Sequence, residues 1–238
     1  MKLTTNFKRY EIKYLITQEQ MEKILNACEE YIKPDEYGRS TICNIYYDTP
    51  DSLLIRRSLE GPLYKEKLRL RSYGVTKPGS PVFAEIKKKY DGVVYKRRIQ
   101  TNEPSAMQLL GMHQNGIADS QIKREIEFFL RRYQTLKPAV FISYDREAFY
   151  SKEDDEFRIT FDRNILWRDY DLQLNKGVYG SPILGRNEVL MEVKCAGAIP
   201  LWFCEILSQN NIYKTSFSKY GRAYLAMERN KAGGKVYA

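Results

Sequence analysis

The stretch from Lys65 to Arg98 constrains the fold more than any other. It runs KEKLRLRSYG, then VFAEIKKKYDG, then VVYKRRIQ. Side chains on a strand alternate between its two faces. Lys67, Arg69 and Arg71 therefore share one face, and Leu68 and Leu70 share the other. The second run sets Glu85, Lys87 and Lys89 against Ala84 and Ile86, and the third brings Lys96 and Arg98 together. Two turns separate the runs: Ser72-Tyr73-Gly74 followed by Lys77-Pro78-Gly79, and the pair Asp91-Gly92. Asp-Gly between alternating segments is a strong hairpin signal. Three antiparallel strands are thus predicted, with a basic face carrying one carboxylate and an apolar face behind it. A single strand of this kind is ordinarily half-buried with its charges in water. Clustered cations repel one another, however, and a dense anion such as a polyphosphate would compensate them.

The pattern recurs far away in the chain. Tyr10-Glu11-Ile12-Lys13, Ala84-Glu85-Ile86-Lys87 and Met191-Glu192-Val193-Lys194 each set a carboxylate and an ammonium two residues apart on one strand face. Tyr144 and Arg146 share a face of a further strand, and Arg158, Thr160 and Asp162 share a face of the next. Helical spacing appears between the strands. Thr17 and Gln20 form a capping-box pattern before Met21, Ile24, Leu25 and Cys28, and Ile122, Ile126, Phe129 and Leu130 make a stripe within Asp119 to Tyr133. Ile199 to Gln209 and a last segment ending near Glu228 also read as helices. The expected class is α+β; if the sheet closes, it makes a closed antiparallel β-barrel with its basic faces inward and helices packed on its outside. A charged lumen is tolerable only when it is wet or filled with counter-charge. Residues 1–230 read as one domain and 231–238 as a loose tail.

Composition narrows the partners. The 238 residues carry 39 Lys and Arg against 30 Asp and Glu, a formal net charge of +9, which favours anionic ligands. Sequence-specific nucleic-acid binding is disfavoured, because the cations sit on alternating strand positions and not on a recognition helix. His113 is the only histidine, so a two-histidine metal site within the chain is excluded. Cys28, Cys43, Cys195 and Cys204 show no C-x-x-C spacing and read as reduced thiols of a cytoplasmic protein. No leader is expected, and no apolar run approaches the ~20 residues of a membrane span. A membrane-protein partner is neither indicated nor excluded.

The side chains on these faces suit phosphoryl transfer, which needs neutralised phosphate oxygens, in-line positioning and usually a divalent ion. Arg offers bidentate contacts and Lys point charges. Strand glutamates can hold Mg²⁺ or Mn²⁺ through oxygen, with phosphates and waters completing the shell. E-x-K on the first strand, L-R-L-R, the central A-E-I-K, the late E-V-K and the terminal S-K-Y together resemble the VTC-type polyphosphate polymerase domain. That domain belongs to the triphosphate tunnel metalloenzymes, the CYTH-like superfamily. The likeness runs from Tyr10 to about Tyr224.

The resemblance implies a β-tunnel that uses ATP to extend inorganic polyphosphate with Mn²⁺ or Mg²⁺. It implies catalytic roles for Lys13, Arg69, Arg71, Lys87 and Lys219. It implies substrate-binding roles for Arg9, Lys67, Lys89, Lys96, Arg98, Tyr144, Arg146, Arg158, Lys194 and Ser218, and metal-binding roles for Glu192, Glu85 and Glu11. The wider superfamily opens on E-x-E-x-K, whereas Arg9 stands here in place of the first Glu. That change is usual in the VTC branch and argues against a simple triphosphatase. Ser216 stands where the VTC pattern can carry a basic residue. The same site with water as nucleophile would be a triphosphatase, and a non-catalytic polyphosphate-binding domain is the remaining alternative.

Overall fold

A computed structural model describes residues 10–91, 93–113, 116–154 and 156–233. Arg9, Gly92, Asp155 and the last five residues of the expected tail lie outside the described residues. In chain order the elements are β1 (Tyr10–Thr17), α1 (Gln18–Ala27), β2 (Ile32–Pro34), β3 (Ser40–Asp48), α2 (Leu53–Leu59) and β4 (Tyr64–Tyr73). Then come β5 (Pro81–Tyr90), β6 (Val93–Asn102), α3 (Glu103–Leu110), α4 (Gln121–Arg132), β7 (Lys137–Ser151) and β8 (Arg158–Arg168). The chain ends with β9 (Ser181–Pro182), β10 (Glu188–Cys195), α5 (Leu201–Gln209), β11 (Lys214–Thr215) and α6 (Lys219–Gly233). Thr17 caps α1 in the expected reciprocal way: its hydroxyl accepts from Gln20 N, and the Gln20 side chain accepts from Thr17 N.

Among the described residues the strands form one antiparallel sheet in the order β11-β1-β10-β8-β7-β3-β4-β5-β6, with β2 beside β7 and β9 beside β8. The expected barrel is not closed by hydrogen bonds, since no ladder joins β6 to β11 or β1. The edges account for this. β11 offers two residues, and β6 carries exposed Arg97 and Arg98, charges that discourage further pairing. Side chains nevertheless reach across the opening. Lys87 Nζ on β5 lies 3.1 Å from Glu11 on β1, although five strands separate them in the ladder. The sheet is therefore strongly curled, with the basic face on the concave side.

Two apolar clusters hold the convex side. Leu68, Leu70, Ala84 and Ile86 pack with Leu109 of α3 and Ile126, Phe129 and Leu130 of α4. Ile159, Phe161, Met191 and Val193 pack with Met21 and Ile24 of α1 and Phe203 and Ile206 of α5. At about 25 cal/mol per Å² of apolar surface, these clusters supply the main drive for folding. A third cluster departs from the expected all-charged lumen. Ile42, Ile142, Ile165, Trp167 and Leu190 meet Phe217, Tyr220 and Ala223, so α6 and an apolar plug fill part of the concavity. Gly221 lies where α6 meets α2, and a Cβ there would come within 2.9 Å of the Leu59 side chain.

β8 takes a register shift against β7 near Asn164, whose φ is 51°, and the chain leaves the strand at Arg168. The Arg168 guanidinium is buried over the Phe141 ring at 3.6 Å and beneath that of Tyr179 at 4.1 Å. It donates to the carbonyls of Asp171, Gly177 and Tyr179, which folds the loop back over the sheet.

Candidate functional site: the concave basic face

Cross-strand register builds the site. Tyr46 and Asn44 on β3 lie opposite Arg69 and Arg71 on β4, Arg69 lies opposite Glu85 on β5, and Glu85 lies opposite Arg98 on β6. On the other wall Arg146 of β7 lies opposite Asp162 of β8, Glu192 of β10 opposite Lys13 of β1, and Lys194 opposite Glu11. Period-two alternation thus delivers the predicted residues to one surface.

Three carboxylate centres organise the cations. Glu85 is fully buried, 2.7 Å from both Arg69 Nη2 and Lys96 Nζ and 3.8 Å from Arg71 Nε. Burial opposes its charge, but these three cations outweigh that effect and hold its carboxyl down to about 2. Arg69 also donates to the Tyr46 hydroxyl at 3.1 Å, and Arg71 donates to Asn44 Oδ1 at 2.9 Å and the Tyr144 hydroxyl at 3.3 Å.

The second centre is the pair Asp162 and Glu192. Arg146 donates to both oxygens of Asp162 at 2.6 and 2.7 Å and to Glu192 at 3.2 Å. Lys219, at the start of α6, lies 2.5 Å from Asp162 and 2.9 Å from Glu192. Burial works against the Lys219 ammonium, yet Asp162 and Glu192 prevail and raise its pKa. Glu192 is driven well below the usual carboxylate range, because Lys219, Lys13 and Arg146 overcome the cost of burial. Lys219 and Arg146 both lie over the Tyr144 ring, at 4.6 and 5.2 Å.

Glu11 is the third centre, 3.1 Å from Lys87 and 3.5 Å from Lys13. Burial raises its pKa, but Lys87, Lys13 and Lys194 oppose that against the push of Glu192, and the carboxyl settles at about 2.

Other lysines are less compensated. Lys67 Nζ donates to Ser218 Oγ at 3.1 Å and has no ion pair among the described residues. Burial, then Lys13, Lys87, Lys65 and Arg69, depress it to about 7. Burial likewise lowers Lys194 and Lys96 to about 8, in spite of Glu11 and Glu192 near the first and Glu85 beside the second. Ser218 serves twice, since its hydroxyl also accepts from Gly221 N and so caps α6.

The structure brings together Lys13, Lys67, Arg69, Arg71, Lys87, Lys96, Tyr144, Arg146, Lys194, Ser218, Lys219, Glu11, Glu85 and Glu192. Three of the sequence candidates stand at the periphery. Arg158 turns to Asp35 at 3.4 Å and lies over the Tyr150 ring. Arg98 lies over the Phe83 ring at 5.0 Å, and Lys89 faces Lys65. Asp162, Asn44, Tyr46 and Lys65 join the site without being among the residues expected there. Asp162 was findable from its shared face with Arg158, whereas Asn44 and Tyr46 sit in a uniformly buried strand without alternation.

No group of three or more His, Cys, Asp or Glu able to hold a metal occurs among the described residues. Glu192 and Glu11 both lie near Lys13, at 3.7 and 3.5 Å, and would suit an ion that keeps most of its shell for phosphates and water. Glu85 and Glu192 each have three cations within 4 Å, so an ion at either carboxylate would have to displace one of them.

The family model of the VTC domain matches residues 8–228. This chain belongs to the VTC domain family. Its fold is shared with solved structures at low identity. A candidate adenylate cyclase from Bacillus halodurans matches with a TM-score of 0.53 at 16% identity, covering 89% of this chain and 95% of that one. One from Vibrio parahaemolyticus matches with a TM-score of 0.50 at 12% identity, over 92% and 99% of the two chains. A candidate adenylyl cyclase from Hippeastrum, described as having a dominant triphosphatase activity, matches with a TM-score of 0.53 at 14% identity, over 90% and 95%. Among curated proteins none matches this sequence. No helix of this VTC domain, among the described residues, is long and apolar enough to cross a membrane.

Proposed function

We propose that this VTC domain is a polyphosphate polymerase that transfers the γ-phosphate of ATP to the end of an inorganic polyphosphate chain. The supporting observation is the convergence of Lys13, Lys67, Arg69, Arg71, Lys87, Lys96, Arg146, Lys194 and Lys219 on one concave face, where Glu11, Glu85, Asp162 and Glu192 are the carboxylates that offset them among the described residues. An interior with that surplus is stable only with anions or water inside it.

In this reading a terminal oxygen of the chain attacks the γ-phosphorus, the bond from γ-phosphorus to the β–γ bridging oxygen breaks, and ADP leaves with the electron pair. Arg69 and Arg71 are aimed by Glu85, Tyr46 and Asn44, and they present fixed forks to phosphate oxygens. Arg146 and Lys219 are held by Asp162. Lys13 and Lys87 supply charge from the opposite wall. Glu192 with Glu11 would hold Mn²⁺ or Mg²⁺, which would neutralise charge on the transferred group when bound.

A second reading has water replace the chain end, giving a triphosphatase. The apolar cluster at α6 favours it, because apolar side chains occupy part of the face that a long chain would follow. Incubation with ATP and Mn²⁺ separates the readings. Long phosphate chains with ADP support the polymerase, free phosphate alone supports the triphosphatase, and tight polyphosphate binding without turnover supports a binding domain. Arg69→Ala removes charge-assisted hydrogen bonds of about 1.5–3 kcal/mol each, so turnover should fall at least about tenfold. Unchanged turnover in Arg69→Ala and Glu192→Gln would remove this face from the reaction.

A further inference from the structure

The register of β4 and β5 sets lysine opposite lysine twice in succession: Lys67 faces Lys87, and Lys65 faces Lys89. Like charges directly opposite on a sheet destabilise it. The inner pair has partners, Ser218 for Lys67 and Glu11 for Lys87. The outer pair is barer. Among the described residues Lys65 Nζ donates to the Ser58 carbonyl at 3.3 Å and has no ion pair, and Lys89 has none either. Both line a hollow whose other walls are Gly61, Pro62, Leu63 and Asp91. Asp91 is the one carboxylate in that lining, and Leu63 is largely exposed. Successive residues on one strand face are about 6.8 Å apart, so the outer pair continues the row begun by Lys67 and Lys87 instead of forming a separate patch.

We infer that Lys65 and Lys89 form a subsite for a linear phosphate chain longer than the triphosphate held by the central cations, and so select for chain length. This rests on the proposed function of the concave face. A triphosphate neutralises the inner cations, whereas a longer chain also relieves the repulsion between Lys65 and Lys89. Crowding already weighs on this end: burial lowers the Lys65 pKa, and Lys89, Lys13 and Lys87 lower it further.

The test measures affinity for inorganic tripolyphosphate and for long-chain inorganic polyphosphate. The variants are the double substitution Lys65→Ala/Lys89→Ala and a control, Lys88→Ala/Arg97→Ala, which removes the same charge from the convex side, where both residues approach Glu125. The expected result is a loss of tenfold or more for the long chain in the first variant, with tripolyphosphate within about threefold of the parent. The control should leave the ratio of the two affinities unchanged. Equal losses for both ligands, or an equal effect of the control, would reduce the pair to general electrostatics and overturn the subsite. If the unsubstituted protein bound neither ligand, the reading of the concave face itself would fall, a result distinct from failure of the subsite alone. Circular dichroism of each variant confirms that the fold survives.

Discussion

Lys67 shows how one residue can couple the site to solution conditions. Its amine has a hydroxyl partner and four cationic neighbours: Lys13 of β1, Lys87 of β5, and Lys65 and Arg69 of its own strand. Its folded pKa of about 7 lies below its ordinary value, so above pH 7 the unfolded chain binds more protons at this residue. The burden of charging it in the fold is therefore present below pH 7 and is relieved as pH rises toward the unfolded value. Anion binding runs the other way, because a phosphate chain favours the ammonium. Affinity for tripolyphosphate should fall as pH rises above about 7, by up to tenfold per unit from Lys67. Lys96 and Lys194 add to the slope near 8. Calorimetric titrations from pH 6.5 to 9 on the parent and Lys67→Arg would measure this. A slope as steep in Lys67→Arg, which stays charged throughout, would remove Lys67 from the linkage. The inward position of Lys67 was legible in the sequence from strand alternation alone. Its hydroxyl partner was not, since 151 residues separate it from Ser218.

At the scale of elements, the terminal helix matters most. α6 enters the concavity N-terminus first, its start capped by Ser218 and its Lys219 ammonium set between Asp162 and Glu192. Tyr220 stacks on Tyr46 at 5.0 Å and donates to Asp48 at 2.9 Å, tying the helix to β3. Asp48 in turn accepts from the backbone N–H groups of Leu54 and Ile55 and anchors the first turn of α2. The S-K-Y sequence pointed to Ser218 and Lys219 only through the family resemblance, which implies substrate-binding and catalytic roles for them. It could not show that the helix fills part of the concavity, because that depends on Ile165, Trp167 and Leu190 from distant strands. Removing one partner from a buried ion pair costs about 3–5 kcal/mol, and Arg146 remains to share the load here. Lys219→Met should therefore lower unfolding free energy by about 3 kcal/mol in urea denaturation. Tyr220→Phe, which leaves Asp48 its backbone donors, should lose about 1 kcal/mol. A loss in Lys219→Met no larger than in Tyr220→Phe would mean that the ammonium is not structural.

For the whole molecule, the difference between a closed barrel and a curled open sheet decides what holds the two walls together. Alternation in sequence predicts which face each residue occupies, and the faces agree from β1 to β10. Closure depends instead on whether the outer edges find each other, and neither the two-residue β11 nor the charged β6 carries a local signal for that. Among the described residues the gap is crossed by side chains, Lys87 to Glu11 and Lys67 to Ser218, and not by a backbone ladder. An anion bound between the walls would then add contacts that the ladder does not supply, while relieving the repulsion among the lysines. A ligand at 100 times its dissociation constant stabilises the folded state by about 2.7 kcal/mol. In a chain of this size each kcal/mol moves the midpoint by about 2–4 °C. Saturating tripolyphosphate should therefore raise the thermal midpoint by about 5–10 °C over sodium chloride at equal ionic strength, read by scanning calorimetry. The rise should shrink in Arg69→Ala. Equal midpoints in the two salts would show that the walls are held without help from anions, and that the cationic surplus is met by water alone.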